Sequence, residues 1–458
     1  MELDQNPQRK SWPKQWPKEW PKEWLKTLQL TALTAVIFAS LSWGADCRCL
    51  GRVSESLSDV QDKTLDFLSR FEASRYAPNA DASAVPVRLV AIDDLSVKTY
   101  SQGSYIFNRG ALTQILEGIE ASSPKAIYLD FDLTRASNEP VNGKASLSSG
   151  DKQFLEFLRQ PRNHPIFLNR IGGLEGTMLL GLKARDLKLR NDCFVSPLNI
   201  RDQDNIVRRI PRRVAASELL PASEAMFRTA QSGTGQARVG QIEDACSSAT
   251  SSVTKKSPYA FQDAYGGLGN RMVFREPELW GGFNILSARS VLETLQIGTL
   301  DDAIVMVGRT DRESGDDHLT PMGWIPGVFI HVNELMTLMT FGRKVAPLSP
   351  VLGAGLAFAF TTFSLFFTSW LMRVISKQLE QRLKPDVNGK LPEVKLENIL
   401  ERPVIWLSLF TVAAICLHQF GIFVDFAFPI LALELARFLH ERKLRDIATK
   451  ALNWSLRR

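Results

Sequence analysis

Acidic side chains follow three apolar runs, at 87–92, 126–129 and 303–307, which have the length and composition of buried strands. The candidate ligand-binding residues are these acids and a neighbouring arginine: Asp93, Asp94, Asp130, Asp132, Arg309, Asp311, Asp316 and Asp317. Carboxylates gathered at one edge of a sheet can hold a cation or a polar ligand. Alternatively, acids at such positions cap helices and turns and stay solvated. The sequence leaves both interpretations open.

The segment 130–134 reads DFDLT and suggests an enzyme. Haloacid-dehalogenase-like phosphatases carry a D-x-D-x-T pattern after a strand, with the first Asp as nucleophile and the second as acid and base. Asp130 and Asp132 would take these two roles. The pattern is short, however, and no lysine is placed to neutralise a phosphoaspartate. An external phosphatase is therefore kept as an alternative, and no catalytic residue is assigned.

Histidine and cysteine are too sparse for a metal centre. The chain has five of each and no Cys-x-x-Cys pair. His331 and Asn333 are predicted to hold the loop before them by hydrogen bonds rather than to bind a metal.

Cys193 and Cys246 are the preferred disulfide pair in an oxidising compartment. Neither a metal nor another cofactor is expected.

Short strands alternate with helices between residues 87 and 339. Strands are predicted at Val87–Ile92, Ala126–Leu129, Pro165–Leu168 and Ala303–Val307, and helices at Arg109–Ala121, Lys152–Arg159 and Gly327–Met339. A further amphipathic helix is predicted over 57–71. This alternation indicates an α/β domain with a mostly parallel sheet. In such sheets ligands lie beyond the carboxyl ends of the strands, where this sequence has its acids.

Four long apolar segments predict transmembrane helices, one before the α/β domain and three after it. The resulting organisation is a Trp-Pro-Lys repeat tail at 1–23, a helix at 24–45, an external domain at 46–350, a helix at 351–372, a cytoplasmic loop at 373–402, helices at 403–419 and 420–438, and a tail at 439–458. The tract 403–438 also fits a single span, but a hairpin returns the basic tail to the cytoplasm. The lipid bilayer is thus the first predicted partner.

The net charge of +6 is interpreted as a consequence of membrane topology rather than as a sign of nucleic-acid binding. Its basic excess is concentrated in three segments, 9–26, 373–402 and 437–458, which the four-span arrangement places on one side of the membrane. This distribution obeys the positive-inside rule and predicts a bacterial inner-membrane protein with both termini in the cytoplasm. The dense charges at 202–213 are interpreted as an ion-pair turn. No nucleic-acid partner is expected.

Five segments resemble the second type of CHASE domain, an extracellular sensing domain associated with cyclases and histidine kinases. They are VRLVAIDDLSV at 87–97, AIYLDFDLT at 126–134, RDQDNIVRR at 201–209, LSARSVLET at 286–294 and the long motif at 302–339. The resemblance covers about 55–345 and is weak over 170–285, where Asn205 stands in a position that is often Gly in the family. The last motif supplies the candidate structural residues: Thr320, Pro321, Gly323, Pro326, Gly327, His331 and Asn333.

The resemblance implies an input module with one span before the sensing domain and three after it. In relatives this module is joined to a cyclase or a kinase. The chain here is expected to be a stand-alone member that forms a homodimer and signals to a separate cyclase, kinase or other cytoplasmic effector. It is thus predicted to be a sensor without enzymatic activity of its own. A structural or assembly membrane protein is the third alternative.

Overall fold

A computed structural model of the chain describes residues 32–37, 40–41, 52–72, 85–101, 106–137, 147–170, 178–183, 192–197, 199–202, 204–210, 220–231, 271–276, 280, 283–293, 298–341, 346–347, 355, 358–359, 362, 410–412, 422–423, 430–432 and 434–435. The chain divides into two compact units. The larger unit comprises Asp62–Pro347 and Ala414–Phe423, and the smaller one comprises Met1–Gln61, Leu348–Ala413 and Val424–Arg458. The described residues of the smaller unit are helical.

The larger unit alternates strands and helices along the chain. Its strands are β1 (Val87–Ile92), β2 (Ala126–Asp130), β3 (Ile166–Asn169), β4 (Met178–Leu179), β5 (Leu182–Lys183), β6 (Asp192–Val195), β7 (Ile200–Arg201), β8 (Val207–Arg209), β9 (Phe283–Ser287), β10 (Ile304–Arg309), β11 (Asp317–Thr320), β12 (Gly323–Pro326), β13 (Ala346–Pro347) and β14 (Ile422–Phe423). The helices are α1 (Arg52–Glu72), α2 (Asp94–Tyr100), α3 (Arg109–Glu120), α4 (Ser149–Arg159), α5 (Ala222–Gln231), α6 (Ala288–Glu293) and α7 (Gly327–Phe341), of which α1 begins in the smaller unit.

Six strands form the central sheet in the order β6-β3-β2-β10-β1-β9. Every pairing in this sheet is parallel, so the carboxyl ends of all six strands lie at the same edge. The inner strands β1, β2 and β10 are buried almost throughout, as their continuous apolar sequences require. The predicted α/β fold with a mostly parallel sheet is confirmed.

One face of the sheet is covered by α3 and α4. Leu112, Ile115 and Ile119 recur at helical spacing in α3 and are completely buried in the main hydrophobic core. The helix begins where Asn108 Oδ1 accepts a hydrogen bond of 2.9 Å from Gly110 N. The next helix, α4, begins three residues before the predicted Lys152 because Ser148 forms a capping box with Asp151.

The other face of the sheet carries α7, which packs against α5. Almost every side chain from Gly327 to Leu338 is buried, although the segment contains the polar residues His331, Asn333 and Glu334. A second apolar cluster, in which Ile330 and Leu338 take part, fixes this helix. Because a helix so enclosed needs partners for its polar groups, these three side chains form hydrogen bonds inside the domain.

Two short antiparallel hairpins flank the sheet and matter for the site. One joins β7 to β8, and the other joins β11 to β12. Asn205, in the turn of the first hairpin, has a left-handed backbone with φ of 63°, and its N–H donates to Asp202 O at 2.9 Å. Gly adopts this conformation most readily, and Asn is among the few other residues that tolerate it, which agrees with the expectation of Gly at this position from the resemblance.

Most residues of the four predicted membrane spans lie outside the described part of the chain. In the part that is described, no helix has both the length and the apolar character needed to cross a bilayer. The predicted spans at 24–45, 351–372, 403–419 and 420–438 therefore stay predictions. The basic segments at 9–26 and 373–402 also fall outside the described residues.

Candidate functional site

A cavity of about 490 Å³ lies at the carboxyl ends of β2, β3 and β10, beside the first residues of α7. Its polar and charged lining consists of Arg109, Asp130, Asp132, Thr134, Arg135, Asn169, Asn199, Arg201, Arg309, Ser314, Asp316, His318 and His331. A polar hollow at this edge of a parallel sheet is the usual place for a ligand in α/β domains. The cavity is therefore the candidate functional site.

Asp130 and His331 form the buried base of the cavity. Asp130 Oδ1 accepts hydrogen bonds from Tyr128 Oη at 3.1 Å and from Asn169 Nδ2 at 2.8 Å. His331 Nε2 lies 3.9 Å from the same oxygen, and His331 Nδ1 lies 3.1 Å from Glu334 Oε2. His331 thus bridges two acids in the interior.

Burial and charge act in opposite directions on the imidazole of His331. Burial alone lowers the pKa of His331, because it disfavours the charged ring. The hydrogen bond with Glu334 and the negative charge of Asp130 outweigh burial and raise the pKa of His331 to about 9. Burial also raises the pKa of Asp130, and His331 only partly opposes this. The base of the cavity therefore holds a proton tightly.

The raised pKa of His331 predicts that the domain loses stability as the pH rises from about 6.5 to about 9. The folded state binds the His331 proton more tightly than the unfolded state does, so protonation of His331 stabilises the fold. This stabilisation is fully present below pH 6.5 and disappears as the pH passes about 9. The other ionisable groups around the ring are Tyr128, Asp130, Asp316 and Glu334. We expect urea titrations of the full-length chain to show unfolding free energies that fall by at most about 1.4 kcal/mol per pH unit. The same series on His331→Gln should fall less steeply between pH 6.5 and 9, and equal pH profiles for the two proteins would contradict the prediction.

Arg109 lines the cavity from the first turn of α3 and is only 3% exposed. Its Nη2 donates to the backbone oxygen of Asp132 at 3.0 Å, whereas its Nε has no hydrogen-bond partner. Burial lowers the pKa of Arg109 to about 10, although the charges of Asp151 and Asp132 oppose this. A buried guanidinium with an unused donor is thus present in the cavity wall.

The rim of the cavity contains a chain of three polar side chains. Arg201 Nη2 lies 3.0 Å from His318 Nδ1, and His318 Nε2 lies 3.0 Å from Asp316 Oδ1. Asp316 also has its backbone oxygen bound by Gly327 N at 2.8 Å, at the start of α7. A Cβ atom on Gly327 would collide with the Asp316 carboxylate, so glycine allows this approach. The rim therefore connects β7, β11 and the start of α7.

Four of the predicted ligand-binding acids do not line the cavity. Asp93 caps α2 through Ser96 N (2.8 Å), and Asp94 accepts a hydrogen bond from Arg312 N (3.0 Å). Asp311 is 1% exposed and forms an ion pair with Arg309 at 2.6 Å, and Asp317 is an exposed residue at the start of β11. The capping interpretation therefore describes Asp93, whereas Asp94 links α2 to the segment that follows β10.

The other four predicted residues, Asp130, Asp132, Asp316 and Arg309, meet in the cavity. Asp132 Oδ1 accepts hydrogen bonds from Thr134 N at 2.9 Å and from Thr134 Oγ1 at 2.5 Å. Asp130 is poorly suited to be a phosphatase nucleophile, because its Oδ1 is already bonded twice and burial raises its pKa. Moreover, no lysine is among the described residues that line the cavity.

The predicted structural residues surround the β11–β12 hairpin and α7. Thr320 Oγ1 donates to Gly323 O at 2.8 Å and closes the hairpin, whose other end is Pro326. The Pro321 oxygen accepts a hydrogen bond from Arg70 of α1. These contacts agree with a structural role for the motif.

His331 and Asn333, expected to hold the preceding loop by hydrogen bonds, form their hydrogen bonds with other partners in the structure. His331 pairs with acids, and Asn333 Oδ1 accepts hydrogen bonds from Arg275 N at 2.8 Å and from Trp280 Nε1 at 3.0 Å. Both side chains are buried, so they face the domain interior rather than the loop. Asn333 thereby attaches Arg275 and Trp280 to α7.

Gly308 lets β10 approach α7 and β2 closely. An added Cβ would lie 2.6 Å from Val328 Cγ2 and 3.3 Å from Asp130 Cβ. We expect Gly308→Ala to lower the free energy of unfolding by about 1–3 kcal/mol through overpacking. Gly118, in the last turn of α3, has its nearest atom at an ordinary 3.4 Å, so Gly118→Ala should be neutral or stabilising. Urea denaturation of both variants measures this, and equal effects would contradict it.

A buried ion-pair cluster connects α1 to the β7–β8 hairpin. Arg208 of β8 is 1% exposed, and its Nε and Nη2 donate to the two Asp66 oxygens of α1 at 2.8 and 2.7 Å. The same guanidinium contacts Asp202 and Asp204 in the hairpin at 3.1 and 2.6 Å. The predicted ion-pair turn is confirmed for these residues, while 211–213 lie outside the described part.

A second acid of α1 belongs to the same cluster. Asp62 lies 3.3 Å from Arg209 and also pairs with the buried Arg271. The name "α1 cluster" is used below for Asp62, Asp66, Arg208, Arg209 and Arg271. Arg201 of the cavity rim belongs to β7 of the same hairpin. A single hairpin therefore contacts both the cavity and α1.

No metal site accompanies the cavity: the described residues contain no group of three or more His, Cys, Asp and Glu side chains that could hold an ion. Cys193 lies in β6 in register with Phe167 of β3. Its predicted disulfide partner Cys246 lies outside the described residues, so that disulfide stays a prediction.

Several cavity residues escaped prediction from the sequence: Arg109, Arg135, Asn169, Asn199, Arg201 and His318. Asn169 had a usable signal, because it follows a predicted strand in the same way as Asp130 does. Arg109 and Arg201 had none, since long-range packing alone brings them to this edge of the sheet.

Comparison with known families agrees with this architecture. The family model described as CHASE2 domain matches residues 13–369, which is more than half of the chain. The chain belongs to the CHASE2 domain family. The resemblance stated from the sequence motifs is therefore confirmed, and CHASE2 is a family of sensing domains. No curated protein and no solved structure gives a significant match to the chain.

Proposed function

We propose that this CHASE2 protein is a membrane-bound extracytoplasmic sensor that binds a small ligand in the cavity at the carboxyl edge of the sheet. Ligand binding changes the position or stability of α1, and the change passes across the bacterial inner membrane to a separate cyclase, kinase or other effector. The proposal includes a homodimer, with both termini in the cytoplasm. Membership of a sensing-domain family gives the class of function.

The proposal rests on a series of contacts that leads from the cavity to α1. Arg201 lines the cavity from β7, and Arg208 of the next strand clamps Asp66 of α1. The hairpin is short, with β7 and β8 directly paired, so a displacement of Arg201 acts on Arg208. Arg70 of α1 also contacts the turn of the β11–β12 hairpin, which contributes His318 to the rim. The β7–β8 hairpin and the β11–β12 hairpin both contribute residues to the cavity, and both contact α1.

The α1 cluster suits a switch because its ion pairs are buried. Buried pairs depend strongly on geometry, since a small separation leaves charges without water or a partner. A ligand that binds one arrangement of the hairpin more tightly shifts the population towards that arrangement. The differential affinity for the two arrangements then sets the size of the response.

Ligand capture by the full-length chain tests the proposal. The purified protein is incubated with a small-molecule extract of bacterial cells, washed, denatured and analysed by mass spectrometry. We expect a compound to be retained by the wild type and lost in Asn169→Leu, which changes the cavity wall. Asn284→Leu, the same substitution at an exposed position of β9, is the matched control and should retain the compound. Identical recoveries from all three proteins would contradict the proposal.

A further inference from the structure

Three buried polar atoms in the cavity wall have no hydrogen-bond partner. They are Arg109 Nε, Asn169 Oδ1 and Asn199 Oδ1. Buried polar groups are nearly always paired, because an unpaired one destabilises the folded protein. The three atoms line the same cavity, so a ligand bound there would supply their missing partners.

The three atoms need different hydrogen-bond partners. Arg109 Nε is a donor and needs an acceptor, whereas the two amide oxygens need donors. The orientation of the Asn169 amide follows from its other contact, because its Nδ2 donates to Asp130 Oδ1 at 2.8 Å. The ligand must therefore present an acceptor at one point and donors at another.

Charges divide the cavity in the same way. Arg109 is a buried cation, and Arg135 adds a second guanidinium to the lining. Asn169 contacts the Asp130 carboxylate, and Asp316 lies close enough to raise the pKa of that carboxyl. The acceptor requirement thus coincides with positive charge, and a donor requirement coincides with negative charge.

We propose that the cavity binds a small zwitterion of the amino-acid class, with its carboxylate on Arg109 and its ammonium group on Asn169, Asn199 and Asp130. This assignment rests on the proposed sensor function and gives its ligand class. A cavity of about 490 Å³ has the size of ordinary small-molecule sites. Guanidinium and carboxylate form the charge-assisted pair that is strongest in such sites.

Other ligand classes use this lining less well. A metal cation is repelled by Arg109 and leaves its Nε without an acceptor. A phosphate dianion can accept from the arginines of the lining, but it offers at most one donor to the two amide oxygens. A neutral polyol could satisfy the amide oxygens but not the charge of the buried guanidinium. A zwitterion satisfies both requirements at once.

Thermal unfolding and calorimetric titration of the full-length chain with the standard L-amino acids test this inference. Each amino acid that binds is compared with two analogues, one that lacks the amino group and one that lacks the carboxyl group. We expect at least one amino acid to raise the unfolding temperature and to bind roughly tenfold or more tightly than either analogue.

Variants locate the bound amino acid. Arg109→Gln should weaken binding roughly tenfold or more, and Arg228→Gln, a change to an exposed arginine of α5, should have no effect. Because Arg109 is buried, Arg135→Gln at the exposed side of the cavity is the second variant and should also weaken binding. Unchanged affinity in both cavity variants would overturn the assignment.

The outcomes separate this inference from the proposed function. If the analogue without the amino group binds as tightly as the amino acid, the cavity is an anion site. That result would overturn the proposal of a zwitterionic ligand, but the proposed function as a ligand sensor would stand. Absence of binding by every amino acid would also overturn the zwitterion, and the extract experiment would then decide independently whether the cavity takes another ligand.

Discussion

Arg208→Gln is expected to lower the free energy of unfolding by about 3–5 kcal/mol. Arg208 is 1% exposed and joins Asp66 of α1 to Asp202 and Asp204 of the hairpin. Its loss leaves the Asp66 carboxylate without its two hydrogen bonds in a site that water reaches poorly. Breaking one side of a buried ion pair is costly for this reason.

The matched control for this variant is Arg228→Gln. Arg228 pairs with Glu224 at 2.8 Å on one helix, but its side chain is 48% exposed. We expect a change within about 0.5 kcal/mol, as is usual for exposed pairs at this spacing. Both variants are measured by urea denaturation of the full-length chain. A loss below about 1 kcal/mol for Arg208→Gln would show that the α1 cluster does not hold the helix to the domain.

Trp280→Ala is expected to lower the free energy of unfolding by about 3–5 kcal/mol as well. Trp280 is 2% exposed, and its Nε1 donates to Asn333 Oδ1 at 3.0 Å. The Arg275 guanidinium lies 4.8 Å from the centre of its ring, which adds a cation–π contact. Removing the ring therefore creates a cavity and leaves buried polar groups with fewer partners.

Trp324→Ala is the matched control, because Trp324 is 70% exposed on β12. The same substitution there should change the unfolding free energy by less than about 0.5 kcal/mol. Trp280→Phe keeps most of the apolar volume and should have an intermediate effect. Equal losses for Trp280→Ala and Trp324→Ala in denaturant titrations would contradict the packing described for α7.

The sheet and its main helices could be predicted because their local sequences are unambiguous. The apolar run at Val87–Ile92 gives a strand with those same bounds, and the runs for β2 and β10 differ by one residue or two. Apolar residues at helical spacing likewise identify α3. Parallel topology follows from the alternation of these elements, so the edge that holds Asp130 could also be predicted.

The cavity itself could be predicted only in part. Asp93 and Asp311 occupy strand ends, as Asp130 does, but their own neighbours satisfy them: Asp93 caps a helix and Asp311 pairs with Arg309. Sequence position cannot separate an acid that caps a helix from one that faces a cavity. The pairing of Arg208 with Asp66 joins residues 142 positions apart, and no local pattern indicates it.

A change in the cavity is expected to reach α1, and amide hydrogen exchange measures this transmission. The full-length chain is compared with and without the small-molecule extract, and exchange is followed in 166–170 at the cavity, 200–209 in the hairpin and 62–70 in α1. We predict that exchange changes in all three segments. In Asp66→Asn, which weakens the α1 cluster, the change in 62–70 should be lost. Protection of 166–170 with unchanged exchange in 62–70 of the wild type would contradict this expectation.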